Sequence, residues 1–198
     1  IRTYDKDESK ATHSLKDVLN NSEFIFISVP TPSNQDGSVN LDIVYEVFED
    51  ILWQGNNHEN NILILRSTMI PGATRLLQQR YPDLNIVFNP EFLTERSAKF
   101  DFINPARFIL GGEKEHTDLV TEKVFKRRFG AHIPIIQTDY ETAELIKYVG
   151  NVFFATKVSF MNEMKLISDR VGADWDTVID GFVADGRVGH SHLNVPGP

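Results

Sequence analysis

Three loops of the sequence place hydroxyl, proline and carboxylate residues directly after apolar runs. Val29 is followed by Pro30-Thr31-Pro32, and Leu65 is followed by Arg66-Ser67-Thr68. Phe88 is followed by Asn89-Pro90-Glu91-Phe92-Leu93-Thr94-Glu95, in which two carboxylates flank an apolar pair, an arrangement suited to acid–base chemistry. Ligands of open α/β sheets bind beyond the carboxyl ends of the strands, so these loops predict a ligand site. The alternative is that they are ordinary turn and cap residues.

A second candidate is a polar stripe in the apolar segment that follows Thr138. At 100° per residue, Lys147, Asn151 and Asn162 fall within about 60° of one another on one helix face. Such polar groups among apolar neighbours lose free energy unless they are paired or face a ligand. The alternative is a solvated stripe with an extended lysine. We interpret the phenylalanine and methionine residues of this segment as core.

Other kinds of chemistry have little support in the sequence. The chain has no cysteine, which removes disulfides, cysteine-ligated zinc and thiol nucleophiles. The histidines show no metal-ligand spacing beyond His190 and His192, which we interpret as exposed to solvent, so no metal site is predicted. Neither a G-x-G-x-x-G loop nor a Walker A pattern occurs.

Apolar runs alternate with amphipathic segments, which predicts an α/β fold with a doubly wound parallel, Rossmann-like sheet. A short apolar-leaning start ends at Tyr4 and is followed by Asp5. Pro71 is expected just inside a helix that continues over Thr74–Arg80. The other strands are predicted at 24–29, 62–65, 86–88, 108–110 and 133–136, and the other helices at 14–20, 41–53 and 113–128.

The pattern changes at Thr138, which with Glu141 has the spacing of a capping box. The next strong breaker is Gly172, so we predict a helix of about 33 residues, about 50 Å long at 1.5 Å per residue. A small helix, Asp174–Gly181, should follow. We therefore divide the chain into domains 1–137 and 138–198.

Composition narrows the possible partners. The 20 Lys and Arg residues are outnumbered by 28 Asp and Glu, which gives a formal net charge of −8. Nucleic-acid binders need a basic surface, so no nucleic-acid partner is predicted. No apolar run approaches the roughly 20 residues of a membrane helix, and no membrane partner is expected. We expect a cytoplasmic protein.

Six motifs follow one another along the chain: Phe26-Ile27-Ser28-Val29-Pro30-Thr31-Pro32, Ser67-Thr68-Met69-Ile70-Pro71-Gly72, Asn89 through Glu95, Ala143-Glu144-Leu145-Ile146-Lys147-Tyr148, Asn151 through Asn162-Glu163, and Gly186-Arg187-Val188-Gly189. They occur together and in this order in the UDP-glucose/GDP-mannose dehydrogenase family, which the chain resembles over nearly its whole length. That family oxidises the C6 alcohol of a nucleotide sugar to a carboxylate in two NAD-dependent steps. UDP-glucose is preferred as the substrate because its enzymes look most similar.

The resemblance implies a role for each matching residue. Asp5 would hold the adenosine ribose of NAD, and Lys147 with Asn151 would stabilise the oxyanion of a thiohemiacetal. Arg187 would reach the nucleotide sugar. The implied cofactor residues are Asp5, Val29, Pro30, Thr31, Ser67, Thr68 and Glu95; the implied catalytic residues are Thr68, Glu91, Glu95, Lys147 and Asn151; the implied substrate residues are Glu91, Phe92, Leu93, Lys147, Asn151 and Arg187.

The chain also departs from the family pattern. The first strand with its Gly-rich loop, the segment with the nucleophilic cysteine and the C-terminal nucleotide-sugar domain have no counterpart, so we expect an N-terminally truncated Rossmann-like domain. We interpret the chain as an internal piece of such a dehydrogenase and expect no turnover from it in isolation. The alternatives are a non-catalytic dimerisation or binding module, an enzyme acting on GDP-mannose or a UDP-N-acetylhexosamine, and an unrelated doubly wound binding protein.

The long helix also predicts an oligomer. Apolar residues surround most of its circumference, and the short elements that follow cannot cover them. Pairing of the same face on two chains is the commonest solution, so we expect a homodimer through this helix.

Overall fold

A computed structural model of the chain describes residues 1–54 and 60–195. Within them the strands form one sheet in chain order, and neighbouring strands are parallel except β3 and β4, which are antiparallel. The predicted α/β, Rossmann-like fold is confirmed, with this one reversal. The strands are β1 (Phe24–Ile27), β2 (Ile62–Leu65), β3 (Asn85–Phe88), β4 (Phe108–Gly112) and β5 (Ile135–Thr138).

The reversal at β4 follows from the segment that precedes it. A parallel connection needs a crossover helix that packs on a face of the sheet. The helix between β3 and β4, α4 (Ala98–Ile103), has no buried residue and therefore cannot serve as one. As a result β4 begins at the edge where β3 ends, and this brings Arg107 to that edge.

The helices and strands lie close to their predicted positions, with three differences. Pro71 lies outside the helix, because α3 begins at Ala73 after the left-handed N-cap Gly72. The single helix predicted over 113–128 is interrupted by a π-helical turn, Thr121–Lys126. The apolar-leaning start before Asp5 is not a strand, because Thr3 bonds to Thr12 and His13 in a loop instead of pairing with the sheet. The remaining helices are α1 (Leu15–Asn20), α2 (Asp42–Gln54), α5 (Lys114–Val120), α6 (Arg127–Phe129), α7 (Tyr140–Val171) and α8 (Trp175–Val183).

Helices cover both faces of the sheet, as a doubly wound fold requires. Alternate residues of each strand point to opposite faces, so Leu63 and Ile64 belong to two different clusters. One cluster joins the sheet to α1, α2, α3 and the start of α7. The other joins it to α5 and the π-helical turn. β1 lies at the edge of the sheet, and its Phe26 is more exposed than a strand buried on both faces would allow.

The long helix α7 begins differently from the prediction. The carboxylate of Asp139, rather than Thr138, accepts a hydrogen bond from the backbone N–H of Thr142 at 2.7 Å. Glu141 instead forms a two-nitrogen ion pair with Arg75, at 2.9 and 3.0 Å. The predicted capping box is therefore wrong, because the residue one position later supplies the cap and Glu141 has a partner on α3.

Contacts divide the chain into a first unit, Ile1–Lys147, and a second unit, Tyr148–Pro198. In the second unit Met161 and Leu193 are buried, whereas Phe153 is 61 % exposed and Phe160 49 % exposed. The interpretation of these phenylalanines as core is wrong, because no described element of this unit covers them. Gly172, in the left-handed region at φ 72°, ends α7 where the sequence predicts.

No helix in the described part of the chain is long and apolar enough to cross a membrane. Within the same ranges, no group of three or more His, Asp or Glu side chains is placed to hold a metal ion. His192 stacks on the ring of Phe154, with the ring centroids 4.2 Å apart.

Candidate functional site

The carboxyl ends of β1, β2 and β3 meet at one edge of the sheet, as the parallel pairing requires. The ladder continues one step past the strands: the Arg66 N–H donates to the Ile27 carbonyl, and the Asn89 N–H donates to the Leu65 carbonyl. The loops that begin at Ser28, Arg66 and Asn89 therefore start side by side. All three predicted chemistry-bearing loops are brought to this edge.

Ser67 joins two of these loops. Its hydroxyl accepts a hydrogen bond from the Val29 N–H at 2.9 Å and donates one to the Val29 carbonyl at 2.7 Å. These two bonds fix the backbone at the start of the Pro30–Thr31 turn. Thr68 and Thr31 are half-buried beside them, and Pro30 is exposed. The edge thus presents hydroxyl groups and a rigid proline turn on a backbone that is already held in place.

Arg66 lies beneath the next loop and is only 9 % exposed. One guanidinium nitrogen donates to the Asn89 side-chain oxygen at 2.6 Å, and another lies 3.6 Å from the Glu91 carboxylate. Asn89, itself buried, donates in turn to the Ile109 carbonyl at 2.8 Å. Burial lowers the pKa of Arg66, and the negative charge of Glu91 opposes that effect. This chain of contacts anchors the Glu91 loop to the end of the sheet.

Two cations lie close to the ring of Phe92. The Arg107 guanidinium carbon is 4.4 Å from the ring centroid, and the Lys147 ammonium nitrogen is 5.3 Å from it. Both distances are within the range of cation–π attraction. A cavity of about 200 Å³ lies beside this group and is lined by Arg66, Arg107, Phe92 and Leu93, among others. Its walls combine apolar rings with two guanidinium groups.

Lys147 reaches this loop from α7. Its ammonium donates to the backbone carbonyl of Glu91 at 2.5 Å, and the residue is half-buried. Burial lowers the pKa of Lys147 below its usual value; the negative charge of Glu91 opposes this effect, and the positive charge of Arg66 adds to it. An ammonium group has three N–H donors, so the bond to Glu91 leaves two for another oxygen. Lys147 can therefore hold the loop and donate to a ligand at the same time.

Several predicted site residues are not part of this cluster. Asp5 is exposed in the N-terminal loop, where its carboxylate accepts from the Asp7 N–H at 2.8 Å. Asn151 is exposed and belongs to the second unit. Arg187, also in the second unit, is exposed and pairs with Asp185. The side chain of Glu95 lies outside the described part of the structure.

The structure also adds residues that the sequence analysis did not select. Arg66 and Arg107 line the cavity, and Asn89 connects the loop to β4. Glu144 is fully buried at the start of α7. A signal for Glu144 was present: Tyr140, Ala143, Glu144 and Lys147 have the i, i+3, i+4, i+7 spacing of one buried helix face.

These groups are suited to binding a polar, anionic organic molecule and moving a proton on it. Arg66, Arg107 and Lys147 supply positive charge, and Glu91 is a carboxylate in contact with that charge. Thr31 and Thr68, both half-buried, add hydroxyl groups next to the backbone of Val29, whose N–H and carbonyl are bonded to Ser67.

Comparisons with known proteins show what the chain is similar to. Residues 2–129 match the sequence model of the UDP-glucose/GDP-mannose dehydrogenase family, NAD binding domain. Residues 141–198 match the model of the central domain of the same family. A UDP-glucose 6-dehydrogenase of Rickettsia bellii is 33% identical over 189 residues, which are 93% of this chain and 43% of that protein.

Two solved structures are similar along most of the chain. A UDP-glucose dehydrogenase from Pyrobaculum islandicum has a TM-score of 0.77 at 28% identity, over 92% of this chain and 43% of that one. A ternary complex of GDP-mannose dehydrogenase from Pseudomonas aeruginosa has a TM-score of 0.76 at 29% identity, over 90% and 43% respectively. The chain spans less than half the length of these relatives.

Proposed function

The chain belongs to the UDP-glucose/GDP-mannose dehydrogenase family and carries its NAD-binding domain, and on that premise we propose that it takes part in oxidising the C6 alcohol of a nucleotide sugar, with no turnover expected from the chain in isolation. The proposed reaction converts UDP-glucose to UDP-glucuronate in two hydride transfers, one to each of two NAD molecules, with water supplying the second carboxylate oxygen and the protons released to solvent. NAD, when bound, accepts the hydride. The observation that carries the proposal is the contact between Lys147 and the Glu91 carbonyl, beside the loops held by Ser67.

The cofactor would lie along the β1 and β2 loops. Ser67 fixes Val29 through two hydrogen bonds, and this leaves Pro30, Thr31 and Thr68 at the edge to contact the nicotinamide side. We propose that Asp5 binds the adenosine ribose and that Glu95 acts with Thr68 near C6. These roles rest on the family resemblance.

The substrate would lie on the other side, against the Glu91 loop. Lys147 would direct its remaining N–H donors at the C6 oxygen, where they stabilise the oxyanion of the thiohemiacetal stage. Glu91 would transfer a proton, and Phe92 and Leu93 would contact the sugar nucleotide. Asn151 and Arg187 complete the proposed set of substrate residues.

UDP-glucose is the proposed sugar because the Rickettsia bellii and Pyrobaculum islandicum relatives are named for it. GDP-mannose is the main competing substrate, since the Pseudomonas aeruginosa enzyme has nearly the same TM-score. A UDP-N-acetylhexosamine is a third candidate. We further propose a homodimer through α7, supported by the exposed apolar side chains of the second unit, and a cytoplasmic location.

Equilibrium binding to the 198-residue chain, measured by calorimetry, tests the proposal. We expect NAD and UDP-glucose to bind, and UDP-glucose to bind more tightly than GDP-mannose or UDP-N-acetylglucosamine. Lys147→Met should weaken binding of the sugar nucleotide only a few-fold, because the donor acts mainly on the developing charge. Lys165→Met is the matched control, since Lys165 lies on the same helix and pairs with Asp169.

The outcomes separate the candidate functions. If GDP-mannose binds more tightly than UDP-glucose, GDP-mannose is the substrate instead of UDP-glucose. Binding of both ligands by a protein that shows no NADH formation when joined to the flanking segments of a relative would favour the non-catalytic binding module. Absence of binding by both ligands would contradict the proposal.

A further inference from the structure

Glu144 is a buried carboxylate that the proposed chemistry does not use. Its side chain is 0 % exposed. One carboxylate oxygen accepts a hydrogen bond from the Gly72 N–H at 2.6 Å, and the other accepts one from the Thr74 N–H at 2.7 Å. Both donors lie at the N-terminus of α3, in which Gly72 is the N-cap and has no side chain of its own to cap the helix.

The carboxylate has an electrostatic reason to bind there. The first N–H groups of a helix have no partner within the helix and carry partial positive charge, which stabilises a nearby anion. Burial raises the pKa of Glu144, and the hydrogen bonds from Thr74 and Gly72 oppose that effect. No Lys, Arg or His of the described ranges forms an ion pair with it. The helix terminus is therefore the compensation for burying this charge.

The position of this bond matters for the site. The loop Arg66–Gly72 connects β2 to α3 and carries Ser67 and Thr68. It is fixed at one end by the bonds between Ser67 and Val29, and at the other by the bond from Gly72 to Glu144. One helical turn after Glu144, Lys147 bonds the Glu91 carbonyl. The first turns of α7 thus contact both the loop after β2 and the loop after β3.

We propose that Glu144 is a positioning residue that holds the Arg66–Gly72 loop in register with Lys147. Its two hydrogen bonds fix the cofactor-side hydroxyls of Ser67 and Thr68 relative to the ammonium that faces the substrate. This inference rests on the proposed function, which assigns the cofactor to the side of Ser67 and Thr68 and the substrate to the side of Lys147. The contact itself is independent of that function and is tested separately.

The first measurement needs no ligand. Glu144→Gln keeps the shape of the side chain but turns an NH₂ group toward one of the two backbone donors, so one hydrogen bond is lost. The loss of one buried hydrogen bond should favour local opening of the loop by about tenfold. We expect amide exchange at Gly72 and Thr74 to accelerate roughly tenfold or more by NMR, while Leu63 in β2 keeps its wild-type rate.

The control is Glu141→Gln. Glu141 also joins α7 to α3, through Arg75, but that pair is partly exposed and does not touch the loop. We expect this variant to leave exchange at Gly72 and Thr74 within about twofold of wild type. The comparison separates a general attachment of α7 to α3 from the specific hold on the loop.

The second measurement is NAD affinity by calorimetry. Glu144→Gln should weaken NAD binding by roughly tenfold, and Glu141→Gln should leave it within twofold. Unchanged exchange at Gly72 and Thr74 in Glu144→Gln would overturn the inference. So would equal acceleration at Leu63, which would make Glu144 a residue of global stability, or local loosening with wild-type NAD affinity. If the wild-type chain does not bind NAD, the proposed cofactor site fails, and the exchange result alone decides whether Glu144 holds the loop.

Discussion

At the scale of single residues, the site depends on charged side chains that are partly or wholly removed from water. Lys147, Arg66 and Glu144 each have a partner that offsets this desolvation: a backbone carbonyl, an asparagine with a nearby carboxylate, and a helix N-terminus. Electrostatic interactions are stronger where water is excluded. These positions therefore have larger effects on a ligand than the exposed ion pairs elsewhere on the chain.

Lys147 gives a prediction about turnover. In a fusion that carries the flanking segments of the Rickettsia bellii relative and oxidises UDP-glucose, Lys147→Ala should lower kcat by about 10²–10³, the usual effect of losing one oxyanion donor. Thr31→Ala should instead raise the KM for NAD. NADH formation at 340 nm measures both effects. Near-normal kcat in Lys147→Ala would mean that this lysine holds the Glu91 loop and does not act as an oxyanion donor.

Ser67 gives a prediction about stability. Ser67→Ala leaves the Val29 N–H and carbonyl without their partner, so the free energy of unfolding should fall by about 1–3 kcal/mol. Ser28→Ala, one residue before Val29 and exposed, should change it by less than about 0.5 kcal/mol. Urea unfolding of the two variants provides the comparison. Equal stability in both would mean that the Ser67–Val29 link does not stabilise this edge.

Part of the site can be predicted from the sequence because loops after parallel strands must meet at one edge. Ser67, Val29, Glu91 and Phe92 were identified in that way. Arg107 could not be, because its position depends on the antiparallel return of β4, which the sequence pattern does not reveal. Asn151 and Lys147 share a helix face in the sequence, but only Lys147 belongs to the unit that contains the Glu91 loop.

At the scale of elements, α7 shows how a local rule can select the wrong residue. Thr138 and Glu141 fit the capping-box spacing, yet the Asp139 carboxylate caps the helix because Thr138 is the last residue of β5. Asp139→Ala should therefore lower the free energy of unfolding by about 1 kcal/mol. Thr138→Ala should have a smaller effect. Thermal unfolding of both variants measures the two effects. A larger loss of stability in Thr138→Ala than in Asp139→Ala would support the capping box.

The contact between β4 and α7 gives a second prediction at this scale. A Cβ added at Gly111 would lie 2.7 Å from the Cβ of Ala143, so Gly111→Ala should destabilise the protein by about 1–3 kcal/mol. Gly150, within α7, has open space around it, and Gly150→Ala should stabilise the helix by about 0.5–1 kcal/mol. Urea unfolding should therefore show changes of opposite sign in the free energy of unfolding for the two variants. A destabilisation by Gly150→Ala would contradict the second part.

The element positions followed well from the sequence because buried strands and amphipathic helices have distinct periodicities. The β2 run Ile62–Leu65 and the 32-residue helix α7 are the clearest cases. The direction of β4 and the π-helical turn were not predictable. The direction of β4 depends on α4, which has no buried residue, and the π-helical turn contains the buried Phe125. Which of these residues are buried is determined by tertiary packing.

At the scale of the whole molecule, the apolar surface of the second unit predicts self-association. Val149, Phe153 and Phe160 are about half or more exposed, and a homodimer would cover them. Light scattering at tens of micromolar should report twice the chain mass. Phe153→Asp should shift this toward the monomer, whereas Trp53→Asp, at a more exposed aromatic of the first unit, should not. A monomeric wild type would contradict the dimer.

We propose that the edge formed by the loops after β1, β2 and β3 binds NAD on one side and a nucleotide sugar on the other. Amide NMR of the deuterated chain, with NAD added first and UDP-glucose second, tests this two-sided site. We expect NAD to shift the signals of Val29, Ser67 and Thr68, and UDP-glucose then to shift those of Glu91, Phe92 and Lys147. Shifts confined to other parts of the chain, or no shifts at saturating ligand, would contradict it.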